Sequence, residues 1–357
     1  MGRVVGPEII HRDYHDYQGY LYAVSDEGAS SLQIIDISTL PDSVSVVYDS
    51  SDLFERSHNI FIDTAKARLY TTNGDIYSLE DPLDPKFIYN TSLLSCHDVY
   101  VENDTAYINT GTQGFAIVDF SQTSLENQSH EVIGTLASYA DQGYNHSGWI
   151  TPDGNYYAMA DETWGMRMKM LDISDFSNIE VIALFGSGVD VNSIPHNQII
   201  NGNYLYTAYY HDGFYVHDIS NPSTPILMGY YDTFDPNHHD SYMGAWGVYP
   251  FLPSGNILLS DMQTGLYVFE VNYENPLSHD EMLVNKNKIY PNPSDGIINV
   301  ELTSVSKVEL YDIQGGKVYE ASDVLNLQIQ NDTFSEGIYI LKINDNKGTT
   351  THKISIQ

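Results

Sequence analysis

The chain is short of cysteine, short of positive charge and without a long apolar run. Its single cysteine, Cys96, stands in 357 residues. One thiol makes no internal disulfide, so the fold must rest on its core rather than on covalent staples. Cys96 lies beside His97, a pairing open to a thiolate ligand or to a small, inert, buried thiol. Lys and Arg number 15 against 48 Asp and Glu, a formal net charge of −33. The deficit is uneven: residues 285–357 hold 7 Lys/Arg and 9 Asp/Glu, so nearly all of it falls on residues 1–284. A surface of that sign repels nucleic acid and anionic membranes. It suits cations, cationic ligands or a salty medium, and it also serves solubility. No apolar run approaches the roughly 18 residues of a membrane helix. The opening MGRVVGPEII has neither the apolar stretch nor the small-residue cleavage site of a signal peptide. No GxSxG, P-loop or GxGxxG stands in a credible context. The piece DPLDP lacks the spacing of a calcium loop. A carboxylate pair for glycoside hydrolysis cannot be named, because spatial separation decides that chemistry.

What is present is a histidine that returns. His11, His58, His97, His146 and His196 open similar segments and Trp246 opens a sixth, at intervals of 47, 39, 49, 50 and 50 residues. A glycine follows each at a nearly constant distance: Gly28, Gly74, Gly114, Gly165, Gly213 and Gly265, 16 to 19 residues on. Between them the pattern reads as strands. In HNQIINGNYLYTAYYHDGFYVHDIS, three β-branched and aromatic runs are separated by Asn-Gly-Asn and His-Asp-Gly turns. A fourth run, ILMGYYDT, follows NPSTP. The third strand ends in IIDIS, IVDFS, MLDIS or VHDIS, aligning Asp36, Asp119, Asp172 and Asp218 as Asx-turn acceptors. Four antiparallel strands at a period of 40–50 residues predict an all-β chain with six visible β-propeller blades. The sixth stops after GLYVFEV, and RVVGPEI near the start reads as its missing fourth strand, closing the ring and removing an edge.

Topology places the candidate site. With the start of each first strand called the top, the loops from strand two to three and from strand four to one share that face. The first strand is innermost, so His58, His97, His146 and His196 ring the top of the channel. His11 and Trp246 occupy the equivalent places in the outermost copies. The top loops carry Asp26, Glu27, Asp161, Glu162, Asp212 and Asp261, with His239 and Asp240 in DTFDPNHHDSYMGAW. Two readings are open. The imidazoles converge on a divalent transition metal, with the acids orienting the rings or holding Ca²⁺. Alternatively each histidine bonds the backbone of its own blade and locks it. Trp149, Trp164 and Trp246 are open to a sugar-stacking rim or to core packing.

Segments such as IHRDYHDYQGYLYAVSDEGASSLQIIDIS, GYNHSGW, PHNQIINGNYLYTAYY and GAWGVYPFLPSGNILLSDMQTGLYVFEV resemble the choice-of-anchor B family of LVIVD-repeat propellers, over about residues 5–272. Its members have one more blade and a signal peptide ahead of the segment matching His11. The resemblance therefore implies an N-terminally truncated chain and a complete protein of seven blades. It implies no activity. The end of the chain, KIYPNPSDGIINVEL to THKISIQ, resembles the C-terminal sorting domain of type IX secretion, carried by Tyr290, Pro291, Asn292, Pro293, Gly337 and Tyr339. Clean alternation in VELYDI and IYILKI suits about seven short strands in a small Ig-like β-sandwich. The expected layout is a propeller over 1–275, a linker over 276–287 and the sorting domain over 288–357. The resemblance implies delivery to the outer surface of a Gram-negative bacterium, or release there, with the secretion machinery as partner. The expected function is a binding module for a small molecule, glycan or protein, without a transmembrane segment. The alternative is a metal-dependent oxidase or hydrolase built on the axial histidines.

Overall fold

The computed structural model describes residues 11–92, 96–236, 238–271, 287–330, 334–345 and 349–356. Two compact units divide the chain, Met1–Ser278 and His279–Gln357. Every regular element among the described residues is a strand.

The first unit is a β-propeller. Its first blade is β1 (Asp13–Tyr17), β2 (Tyr20–Val24), β3 (Leu32–Asp36) and β4 (Ser45–Ser50). The second is β5 (Ile60–Asp63), β6 (Arg68–Thr71), β7 (Asp75–Ser78) and β8 (Lys86–Asn90); the third is β9 (Asp98–Glu102), β10 (Thr105–Asn109), β11 (Phe115–Asp119) and β12 (Glu131–Leu136). The fourth is β13 (Asn145–Ile150), β14 (Tyr156–Asp161), β15 (Met168–Asp172) and β16 (Glu180–Phe185). The fifth is β17 (Asn197–Asn201), β18 (Tyr204–Ala208), β19 (Phe214–Asp218) and β20 (Ile226–Tyr231). The sixth holds β21 (Ala245–Tyr249), β22 (Ile257–Asp261) and β23 (Gly265–Phe269). Each sheet is an antiparallel meander in chain order. The segment RVVGPEI, read as a fourth strand for the last blade, lies outside the described residues, as does nearly all of the expected linker.

Local chemistry repeats with the blades. Asp36, Asp119, Asp172 and Asp218 each accept the backbone N–H of the serine two residues on, at 2.7–3.0 Å, closing the turn out of the third strand. The recurring glycines Gly28, Gly74, Gly114, Gly165, Gly213 and Gly265 all take positive φ, between 62° and 94°. That conformation is cheap for glycine alone. The third-to-fourth strand pairing shifts register in each of the first five blades, as between Ile117 and Val118 or Val216 and His217. Such bulges strengthen the local twist of the blade.

The core lies between blades. Tyr22, Leu32 and Ile34 of the first pack against Ile60, Ile62 and Leu69 of the second. Tyr70 and Ile76, on the other face of the second, pack against Val101, Ala106 and Ile108 of the third. Tyr107 and Ile117 then meet Tyr157 and Met159 of the fourth. Successive residues of one strand thus serve two neighbours. This explains why the central strands read as nearly continuous apolar runs rather than as alternation with polar residues. Each such side chain, fully buried, is worth about 1.5–3 kcal/mol. The first strands of neighbouring blades contact one another in the series β1, β5, β9, β13, β17 and β21, which makes them innermost.

The second unit holds β24 (Lys288–Tyr290), β25 (Ile297–Asp312), β26 (Lys317–Gln330), β27 (Gly337–Asn344) and β28 (Thr349–Ile356). The expectation of about seven short strands is corrected to five among the described residues. β25 and β26 run on through polar residues because they pair with each other across two register shifts between Glu301 and Val308. The first part of β25 pairs with β24 and the last with β27, so one long strand serves two groups of partners. Ile298, Val300, Leu310, Leu341 and Ile354 form its core. Asn292 donates to the Lys353 carbonyl at 2.9 Å and accepts from the Ser355 N–H at 2.8 Å, fastening the Tyr-Pro-Asn-Pro segment to β28. The Tyr339 hydroxyl donates to the Ser335 carbonyl at 2.8 Å, and Gly337 has φ of 151°.

Candidate functional site on the propeller axis

The residues before three of the axial side chains are laced to the preceding blade. Asn145 exchanges backbone hydrogen bonds with Gly111, Ala245 does so with Tyr210, and the Ser57 N–H donates to the Ser25 carbonyl. These ties deliver His146, Trp246 and His58 to the axis from loops of the preceding blade.

The six side chains form a closed circle of rings. Centroid separations are 4.2 Å for His11–His58, 4.4 Å for His58–His97 and 4.2 Å for His97–His146. His146–His196 is 4.4 Å, His196–Trp246 4.2 Å and Trp246–His11 5.9 Å. Nδ1 of His97 bonds the carbonyl of His146 at 3.0 Å, Nδ1 of His146 that of His196 at 3.1 Å, and Nδ1 of His196 that of Trp246 at 2.5 Å. The expected lock within one blade is thereby corrected. Each of the three bonds goes to the next blade, whose innermost strand is the neighbour of its own. A carbonyl only accepts, so Nδ1 carries the proton in these three rings and Nε2 keeps its lone pair.

The acids divide. Asp26 reaches the ring: its carboxylate lies 2.8 Å from His58 Nδ1 and 3.6 Å from His11 Nδ1. Glu162 also reaches it, 3.9 Å from His146 Nε2 and 4.0 Å from His196 Nε2, and accepts the Tyr210 hydroxyl at 2.5 Å. Asp161, Asp212 and Asp261 are buried and bound elsewhere. Asp161 accepts from Gly143 N–H, the Tyr139 hydroxyl and the Lys169 ammonium. Asp212 pairs with His239 Nε2 at 2.7 Å, and Asp261 takes the Thr233 hydroxyl with the Gln263 and Thr264 N–H groups. Glu27 is half-buried in the loop after β2, and Asp240 is exposed beside His238. His239 and Asp240 therefore lie away from the ring.

Burial sets the charge states. It lowers His11 and His97 to about 4 and His196 to about 3, and holds His146 well below the ordinary imidazole range. Neighbouring imidazoles add to the effect. Burial raises Glu162, partly offset by the Tyr210 bond. Desolvation opposes ionisation of Asp26, yet the His58 contact holds it below the usual carboxylate range. Burial pushes the Cys96 thiol up, leaving it unreactive. Three sets bring ligand atoms within 4.8 Å of one another: His58, His97 and His146; His146, Glu162 and His196; and His11, Asp26 and His58.

The three tryptophans do not share a rim. Trp246 belongs to the ring, Trp164 donates to the His239 carbonyl near Tyr242, and Trp149 lies in the channel against Tyr100 and Phe61. Two features lie outside the sequence expectations, Trp149 apart. Tyr210, which holds Glu162, stands in a loop with no distinguishing pattern. The channel aromatics Tyr14, Phe61, Tyr100, Trp149 and Tyr249 each follow a ring residue by three positions, a period that was there to be read.

Comparison with known proteins fits this architecture. The LVIVD repeat matches residues 95–129 and 198–233, and the secretion system C-terminal sorting domain matches residues 288–357. Among solved structures, the chain is similar to the β-propeller domain of Cps50 (Swd1) from Myceliophteria thermophila, at 12% identity and a TM-score of 0.50, over 84% of this chain and 94% of that one. It is also similar to the WD40 β-propeller domain of Doa1, at 10% identity and a TM-score of 0.49, over 98% and 94%. At 12% identity the likeness to the Cps50 domain speaks to the fold alone. No curated protein matches the chain.

Proposed function

We propose that this chain, a propeller of LVIVD repeats bearing a type IX sorting domain, is an exported binding protein that holds a divalent transition metal in its axial imidazole ring. The sorting domain makes it a secreted or cell-surface propeller; the outer surface of a Gram-negative bacterium is the destination we assign. The observation that carries the metal reading is the direction of the Nδ1 bonds. Each is spent on the next blade's carbonyl, which leaves Nε2 of His97, His146 and His196 as lone-pair donors. An oriented, neutral imidazole is the form a metal takes. Burial keeps these rings neutral, so no proton need be displaced near neutral pH. Glu162 and Asp26 supply negative charge on the two sides of the ring. Nitrogen donors favour Zn²⁺, Ni²⁺ or Cu²⁺ over Ca²⁺, and the buried acids a calcium ion would need are engaged in internal hydrogen bonds. The ligand atoms of each set already lie within 4.8 Å of one another, close enough for a shared ion with bonds of about 2.0–2.1 Å to draw them together.

The test is metal content. The chain, purified without chelator, should carry bound metal by mass spectrometry, and the stripped protein should rebind Zn²⁺ or Co²⁺ in calorimetry. His97→Ala and His146→Ala should each weaken binding by about tenfold or more, with Glu162→Gln as the milder variant. A wild-type chain that binds no metal, or variants that bind as well as wild type, would overturn the reading.

A further inference from the structure

Below the imidazole ring the channel widens into a cavity of about 650 Å³. Its size falls within the range of small-molecule sites, about 300–1,000 Å³. The wall is an aromatic belt. Phe61 and Tyr100 lie 4.8 Å apart by ring centroids, Tyr100 and Trp149 4.8 Å, Trp149 and Phe251 5.9 Å, and Phe251 and Tyr249 5.6 Å. These rings come from the second, third, fourth and sixth blades, so they surround the axis rather than line one side. Tyr249 and Phe251 are 39% and 40% exposed, and Tyr14 is 50% exposed. Large aromatic side chains left open around a central cavity are not explained by the packing between blades.

Carboxyl groups line the same cavity. Asp13 accepts the Ile60 N–H at 2.9 Å, and Asp98 accepts the Asn59 amide at 3.0 Å and its neighbour's N–H at 2.8 Å. Among the described residues no ion pair reaches either one, and the nearby Arg12 turns instead to Gln33 and the Tyr14 face. Both carboxyl groups line the cavity. Glu102 and Asp16 line the same cavity. A cation placed here would face these carboxyl groups and meet the negative faces of the rings. The propeller's large acidic excess would steer it in.

We propose that this cavity binds an organic cation, an alkylammonium whose methyl or methylene groups lie in the aromatic belt and whose charge faces Asp13 and Asp98. The cation is distinct from any metal in the ring above it. The probe is choline, with 3,3-dimethylbutan-1-ol as its neutral isostere and cellobiose as the sugar that aromatic platforms also stack. Calorimetry is run on the full chain after chelator treatment, so the result stands apart from the metal question. Choline should bind at a single site, and the isostere should bind about tenfold or more weakly. Trp149→Ala and Asp98→Asn should each weaken choline about tenfold. Tyr249→Ala, at the exposed mouth, should weaken it severalfold and leaves the core intact should Trp149→Ala fail to fold. No binding of choline, equal binding of the isostere, or binding of cellobiose in its place would each overturn the proposal.

Discussion

Two residue types recur in every blade or nearly so, and each recurs for its own reason. The glycine after the second strand sits at positive φ because its loop turns back under the next strand. A Cβ on Gly213 would also press into the Tyr231 carbonyl. Gly213→Ala should therefore cost about 3 kcal/mol, read as a lowered denaturant midpoint at unchanged slope. Three of the recurring histidines, His97, His146 and His196, use Nδ1 to close the gap to the next blade. His217 makes the contrast: it is 2% exposed in β19, its Nδ1 has no hydrogen-bond partner, and burial alone lowers it to about 4. Its folded value lies below the unfolded one of 6.5. The unfolded state thus takes up a proton first as pH falls, and stability is lost between about pH 6.5 and 4. His217→Leu should remove that loss, worth on the order of 3 kcal/mol near pH 4, and little at pH 8. Denaturation curves at the two pH values decide it; equal shifts at both would show packing alone.

At the level of elements, the fourth blade shows how a buried charge serves the site from a distance. Asp161 ends β14 and Lys169 lies in β15, 3.0 Å apart and both with side chains fully buried. The same carboxylate accepts the Gly143 N–H, in the loop that leads to His146. Lys169→Met would strand that carboxylate and should cost about 3–5 kcal/mol in unfolding free energy, a measurement by urea denaturation. A loss under about 1 kcal/mol would mean that water replaces the ammonium. The strand pattern was legible at this scale because β-branched runs, Asn-Gly turns and the four Asx aspartates are local signals, and the four aspartates close the turns expected of them. The belt of Tyr14, Phe61, Tyr100, Trp149 and Tyr249 was legible too, but aromatics in strands read first as core. Alternation says that a side chain leaves the sheet, and does not say whether a neighbouring blade or an open channel receives it. The tail is the opposite case: about seven short strands are expected there, whereas pairing with β26 carries β25 on through its polar residues.

For the whole molecule, the sorting domain and the propeller are separate compact units, and the prediction follows from that division. A chain lacking residues 285–357 should keep its β-rich circular dichroism and a cooperative thermal transition. It should fail to reach the cell surface or medium when expressed with an intact secretion system. Surface delivery of the shortened chain would contradict the role of the tail. The sequence by itself determined the all-β class, the blade period, the innermost position of the histidines and the presence of the sorting domain. All of these rest on periodicity and on turn chemistry, which act over a few residues. Only the tertiary structure decided that His97, His146 and His196 bond the following blade, that Asp26 and Glu162 reach the ring while Asp161, Asp212 and Asp261 do not, and that the aromatics surround a cavity. Those outcomes depend on which side chains meet across about fifty residues of chain. There, hydrogen-bond reach of about 3 Å separates a ligand from a bystander, and no pattern within a strand encodes a distance to a neighbour.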